Sequence, residues 1–343
     1  MAIDKPSDYF NTKLYTGTGS SQNITGVGFQ PDLLWLKSRS NADFHYFQDV
    51  VRGVTKQLAT NTTGAETSYT NGVTAFGTDG FTVDSSNWSN RSGGTFVGWN
   101  WKANGTGVAN TDGSISSTVS ANTTSGFSIV SYTGTGANAT VGHGLGVAPK
   151  MIIVKKYNVT GSWGVYHNSL GNGNFLYLND TNASASNSTL WNNTSPTSSV
   201  FNLGSSAISN SSSNSHIAYC FAEKQGFSKF GSYTGNGSTN GTFVYLGFKP
   251  AFVLLKHSSG GTDNWNLYDN KRLGYNANYS FLIPNESNAE NTGTTTAPLD
   301  LLSNGFKIRA STGHSNSSGE TYIYMAFAEN PFVTSTGVPA TAR

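Results

Sequence analysis

Three lysines occupy one place in a repeated pattern. Lys37, Lys155 and Lys256 each stand six residues after a proline, Pro31, Pro149 and Pro250. Upstream, Tyr15, Tyr132 and Tyr233 precede those prolines by 16, 17 and 17 residues. Each tyrosine opens a Tyr-Thr-Gly-x-Gly stretch, with glycines at Gly17 and Gly19, Gly134 and Gly136, Gly235 and Gly237. A lysine near a glycine-rich loop is raw material for phosphate binding. That chemistry needs a helix N-terminus after the loop and a lysine close behind it, and neither follows here. The glycines are expected to make tight turns between strands. The prolines are expected at strand entrances, where a missing donor is tolerated. The lysines are expected to end those strands as solvated heads on apolar stems.

Other catalytic chemistry finds little support. His143, His167 and His216 belong to the middle copy of the pattern, and His314 lies in the polar loop "TGHSNSSG". No His-x₃-His or His-Glu-x-x-His spacing offers a metal site, and no Gly-x-Ser-x-Gly marks a nucleophile. Asp79, Asp84, Asp263, Asp269, Glu286 and Glu290 are not placed with a partner in a second copy. No catalytic residue, metal or cofactor is therefore assigned, and a non-enzymatic protein is expected. Aromatic rings beside amides could stack on a sugar face while the amides bind its hydroxyls. Trp88, Trp163 and Trp265 have counterparts in the pattern, which favours core. Trp191 in "STLWNNTSPTSS" has none, so Trp191 with Asn192 and Asn193 is the candidate glycan contact.

The elements that must carry these residues also recur. After the prolines come "DLLWL", "KMIIV" and "AFVLL", apolar runs of strand length. Phe44, Trp163 and Trp265 each stand three residues before another aromatic, Phe47, Tyr166 and Tyr268. Phe81, Phe201 and Phe306 precede Trp101, Phe221 and Phe327 by 20, 20 and 21 residues, in alternating strands that close each unit. A repeat of this length defines the architecture. The expectation is an all-β chain of three tandem homologous antiparallel β-sandwich domains of jelly-roll-like type, each burying its own core. They span 1–103, 126–223 and 224–333. A Gly/Asn/Ser/Thr-rich linker at 104–125 separates the first two, and 334–343 forms a polar tail. "VVRGVTKQLA" is the one stretch that could form a helical turn.

Composition agrees. Of 343 residues, 11% are charged and 13% aromatic, with 40 glycines, a profile of turns and half-buried strands. The formal charge is +2 with scattered Lys and Arg, which gives no nucleic-acid footprint. The single Cys220 sits in the strand-like "HIAYCFAE" as a buried thiol, and it excludes an internal disulfide framework. No apolar run is long enough for a membrane span, and "MAIDKPSDYF" is not a secretory signal.

"IDKPSDYFNTKLYTGTGSSQNITGVGFQPD", "GFSIVSYTGTGANATVGHGLGVAPKMIIVKK", "AYCFAEKQGFSKFGSYTGNGSTNGTFVYLGFKPAFVLLKH" and "LLSNGFKIRASTGHSNSSGETYIYMAFAENPF" resemble a family of repeated domains from tailed phages of marine bacteria. The resemblance covers nearly the whole chain. It implies a virion structural protein on the particle exterior, fibre-like or particle-associated, made in the bacterial cytoplasm and carrying no catalytic residues. The expected partners are other capsid or tail proteins, sister copies in a homotrimer by analogy with phage fibres, and a host-surface polysaccharide.

Overall fold

The computed structural model describes residues 2–331; the tail assigned to 334–343 lies outside the described residues. The chain is almost entirely β-structure arranged in several antiparallel sheets. One four-strand arrangement occurs three times. The first unit contributes β1 (Phe10–Thr16), β2 (Leu33–Ser38), β3 (Tyr46–Asp49) and β4 (Thr95–Trp101). The second contributes β5 (Phe127–Thr133), β6 (Met151–Lys156), β7 (Trp163–His167) and β8 (Ser215–Phe221). The third contributes β9 (Ser228–Thr234), β10 (Phe248–His257), β11 (Trp265–Asp269) and β12 (Thr321–Pro331). In each unit the closing strand pairs with the opening strand on one side and with the proline-led strand on the other. The orders are β1-β4-β2-β3, β5-β8-β6-β7 and β9-β12-β10-β11.

These strands are apolar on both faces because both faces are covered. In β2, Leu33 and Trp35 point one way and Leu34 and Leu36 the other; β6 and β10 repeat the division with Met151 and Ile153 against Ile152 and Val154, and Phe252 and Leu254 against Val253 and Leu255. The outward set meets a small second sheet in each unit, headed by Gln22–Thr25, Ala139–Gly142 and Phe243–Tyr245. The inward sets of all three units meet one another. Phe10, Trp35, Trp99, Trp101, Phe221, Phe252 and Phe327 belong to one buried cluster shared by the whole chain. Phe10 stacks on Phe327 with ring centroids 5.2 Å apart, and Trp101 meets Phe252 edge-on at 5.5 Å.

The shared cluster corrects the expectation that each domain buries its own core. Every unit has a private outer core, but the inner face of its larger sheet is covered only by the other two units. The expected linker at 104–125 is also corrected. Val108–Asn110 and Ser117–Asn122 are strands that extend the second unit's sheet, with Val119 opposite Val130 of β5. Val119 and Ala121 alternate there with Thr118, Ser120 and Asn122 at the strand period, so the segment pairs despite its polar composition. The two four-residue helices, Asn87–Asn90 and Ala207–Asn210, lie outside the stretch expected to turn helically. No helix among the described residues is long and apolar enough to cross a membrane.

Candidate functional site

The repeated residues do their chemistry inside the protein. Each Tyr-Thr-Gly-x-Gly stretch is locked by a Ser-Asn pair about 75 residues later in the chain. Tyr15, Tyr132 and Tyr233 donate their hydroxyls to the carbonyls of Ser89, Ser209 and Ser315 at 2.5, 2.6 and 2.7 Å. The Oδ1 of Asn90, Asn210 and Asn316 accepts the backbone N–H of Thr18, Thr135 and Asn236 at 2.9, 2.7 and 2.9 Å. The Nδ2 of the same asparagines reaches the carbonyls of Ser20, Ala137 and Ser238 at 2.6, 2.6 and 2.7 Å. A Cβ at Gly17, Gly134 or Gly235 would fall 2.2–2.3 Å from the carbonyl oxygen of Arg91, Ser211 or Ser317, so no side chain fits. The loop holds backbone, not phosphate. The motif that completes it is legible as "WSNRS", "ISNSS" and "HSNSS", which sequence reasoning passed over in a chain full of Ser and Asn.

Lys37, Lys155 and Lys256 are fully buried, contrary to the expectation of solvated heads. Two residues beyond Trp35, Ile153 and Leu254, they lie on the inward face, at the edge of the shared core. Lys155 Nζ donates to the carbonyls of Gly161 and, at 2.9 Å, of Thr63 in the first unit. Lys256 Nζ donates to Asp263 O at 2.5 Å and to Thr181 O of the second unit at 2.7 Å. Lys37 Nζ donates to Ser38 O at 2.6 Å and Asn41 O at 3.0 Å. Burial lowers all three ammonium groups to a pKa of about 8. Lys155 and Lys256 thus pin neighbouring units together, whereas Lys37 bonds only within the first unit. Pro31 and Pro149 precede β2 and β6 as expected, whereas Pro250 lies inside β10, where the register shifts at a bulge and its missing donor breaks no ladder.

A third set of contacts closes the units into a ring. Asp49 at the end of β3 accepts from Tyr219 of β8, and Asp269 at the end of β11 accepts from Trp99 of β4. His167 at the end of β7 donates through Nε2 to Tyr324 O of β12 at 3.1 Å. Each unit thus grips the closing strand of the next, and the third grips the first. Trp163 and Trp265 add bonds to Ala59 O and Tyr177 O of the preceding unit, both at 2.9 Å. The register makes His45, not Phe44, their counterpart. Lys155 and Lys256 stand opposite Trp163 and Trp265, whereas in the first unit the place after Leu36–Tyr46 falls to His45. His45 is buried and accepts from Trp35 Nε1 at 3.1 Å, while Phe44 is 41% exposed.

Trp191 is 2% exposed and packs edge-on against Tyr166 with centroids 5.7 Å apart. Its ring fills the second unit's outer core and cannot stack on a sugar, which removes the Trp191, Asn192 and Asn193 glycan contact. The two asparagines adopt left-handed φ angles of 52° and 46° and simply turn the chain after the buried ring. Cys220 is a buried free thiol whose pKa burial pushes up.

At the surface, the structure assembles one cluster the sequence kept apart. His257 Nδ1 and Asp263 Oδ2 are 2.7 Å apart, and His257 Nε2 lies 3.8 Å from Glu320 Oε2. His314 Nδ1 is 3.6 Å from Asp263, and Ser259 donates to Glu320 at 2.6 Å. Among the described residues no group of three or more His, Cys, Asp or Glu is placed to hold a metal ion. A small cavity of about 180 Å³ lies beside Tyr275, with Lys249 and Glu329 paired in its wall at 2.7 Å.

None of the curated proteins matches this chain. Residues 5–331 match the model of a domain of unknown function, DUF7483. That match spans all three units and the ring they form, and the chain belongs to the DUF7483 family.

Proposed function

We propose that the chain is a structural component on the exterior of a phage particle, acting by assembly and binding rather than by catalysis. One observation carries this: the residues repeated three times are spent on internal bonds that lock three units around a shared core. What the sequence repeats is therefore a building block. In this reading the units are homologous β-sandwiches of jelly-roll-like type, descended from one domain. The protein serves as a fibre or appendage subunit or as a capsid decoration protein. Its partners are other virion proteins, sister copies in a homotrimer and a host-surface polysaccharide. The resemblance of the sequence to repeated domains of marine phages supports the same reading.

Copy number and position in intact particles test it. Mass spectrometry of purified virions, with a reconstruction that does not impose symmetry, should find the chain on the outside. Hundreds of copies on the capsid lattice mean decoration or cement, and a few at a vertex or tail mean an appendage. Absence from the particle overturns the proposal.

A second reading, a glycan depolymerase, is favoured by Asp263 and Glu320 meeting around His257, since glycosidases work through two carboxylates. It requires the purified chain to shorten a host polysaccharide and Glu320→Gln to stop it.

A further inference from the structure

The chain has only 20 lysines and arginines among 343 residues, yet three lysines converge on one cavity. Lys150, Lys224 and Lys229 line a groove of about 440 Å³ with Tyr245, Glu223 and Phe248. The volume falls in the roughly 300–1,000 Å³ range of small-molecule sites. The groove sits where the second unit passes into the third. Three separate segments build it: the residue before β6, the turn joining β8 to β9, and the end of the outer strand Phe243–Tyr245.

Backbone bonds fix the positions of Lys150 and Lys224, and Lys229 is held through its side chain. Lys150 N donates to Phe221 O at 2.7 Å. Lys224 starts a tight turn in which its carbonyl accepts from Phe227 and Ser228, and its own N–H donates to Ser228 Oγ at 3.0 Å. Lys229 Nζ lies 5.3 Å from the centroid of the Tyr245 ring and donates to Tyr245 O at 3.2 Å. All three side chains are half-buried. Elsewhere Lys5, Lys56 and Lys249 stand beside carboxylates. Among the described residues, none of the three groove lysines has a carboxylate within 4.0 Å. Glu223 lines the same groove, but its Oε2 accepts from Phe230 N at 3.3 Å. Three cations therefore face one carboxylate already engaged. Burial lowers the pKa of Lys224. Beside them Tyr245 is 52% exposed, a large ring at the mouth of the groove.

The geometry points to a binding site for an acidic saccharide. The ammonium groups would take a carboxylate or sulfate on the sugar through charge-assisted hydrogen bonds, and the Tyr245 face would stack on the ring's C–H side. Phosphate alone would use the cations but not the tyrosine, and a neutral glycan the tyrosine but not the cations. The inference names a ligand class for the binding role proposed above and rests on that reading only for the ligand's source, a host-surface polymer.

Calorimetric titration of the purified chain tests it, because it does not depend on where the chain sits in a particle. The probes are a tetrasaccharide of alternating glucuronic acid and N-acetylglucosamine, a neutral N-acetylglucosamine tetrasaccharide, and inorganic phosphate. The acidic tetrasaccharide should bind, weaken as salt rises from about 50 to about 500 mM, and exceed both other probes. Lys224→Gln and Tyr245→Ala should each weaken it about tenfold or more, with thermal melts confirming that both variants fold. Three results overturn the proposal: no binding of the acidic probe, equal binding of the neutral probe, or phosphate binding as tight with no effect of Tyr245→Ala. Loss of glycan binding with a confirmed exterior position would remove this site and leave the structural role standing.

Discussion

The phenol of Tyr219 donates to Asp49 Oδ2 at 2.8 Å, from the closing strand of the second unit into the first. Asp49 is fully buried and also holds Arg52 Nε at 2.6 Å, while Arg52 reaches Glu66 at 3.0 Å. The contact between units thus rests on a buried ion pair, and its counterpart in the third unit joins Asp269, Arg272 and Trp99.

Breaking that pair by removing one partner leaves an uncompensated buried charge. Asp49→Ala should destabilise the chain by about 3–5 kcal/mol, and Asp269→Ala by a similar amount. Tyr219→Phe removes the donation to Asp49 and a long 3.4 Å bond accepted from Arg52, leaves the ion pair in place, and should cost only about 1–2 kcal/mol. Denaturant titration ranks the three; equal effects for Asp49→Ala and Tyr219→Phe would show that Asp49 is not the centre of the contact.

The Ser-Asn lock predicts local loosening. Asn316→Ala deletes bonds to Asn236 N, Ser238 O and Ala310 O and should cost about 2–4 kcal/mol, taking roughly 1 kcal/mol per bond. Amide exchange should speed up in the Thr234–Asn240 loop ahead of the rest of its sheet. Uniform acceleration would mean the asparagine supports the whole fold rather than the loop.

Acid should weaken the protein before its carboxylates titrate. His143, His167 and His216 each donate through one ring nitrogen to a carbonyl and accept a backbone N–H on the other, from Leu145, Ser169 and Ser211. His45 accepts from Trp35. Protonation would destroy every accepting bond. Burial lowers His167 and His216 to about 4, and lowers His45 and His143 as well. The unfolded chain binds protons near pH 6.5 and the folded one does not, so stability is full above about 6.5 and declines as pH falls toward 4. His167 and His216 each contribute about 3 kcal/mol of that decline by pH 4. Denaturant midpoints at pH 7, 5.5 and 4 measure it, and His167→Gln should flatten the slope. A midpoint unchanged down to pH 4 would contradict the neutral assignment.

The buried lysines predict the opposite end of the scale. Their folded pKa of about 8 lies below the unfolded value near 10.4, so between those limits the unfolded state binds more protons and stability from this source rises with pH. Lys155→Met should be near neutral at pH 7, since it removes the desolvation of a charge along with its bonds. The gap between wild type and Lys155→Met should shift in favour of wild type as pH rises from 8 toward 10. A pH-independent gap would mean the ammonium is not desolvated.

Much of this architecture was legible. "DLLWL", "KMIIV" and "AFVLL" gave the central strand of each unit, and the tyrosine-to-proline spacing set the repeat. The same runs also announced the shared core, because a strand without alternation is covered on both faces. Counting by twos from Leu33 through Trp35 reaches Lys37 on the inner face, so its burial followed from parity rather than from residue type. Trp191 misled for a different reason: lacking a counterpart says nothing about exposure, and its neighbour Leu190 belongs to the same outer core. The basic groove could not be read in advance. Lys150, Lys224 and Tyr245 come from segments that only the packing of the second unit on the third brings together.

Closing the ring within one chain has a consequence for how such a protein can change. In an assembly of identical subunits, every substitution appears at each junction at once. Here a substitution alters a single junction, and the three junctions differ: Asp49 and Asp269 hold two of them, His167 the third. Holding the three units in one chain keeps the contacts of a threefold arrangement while letting each side carry its own surface.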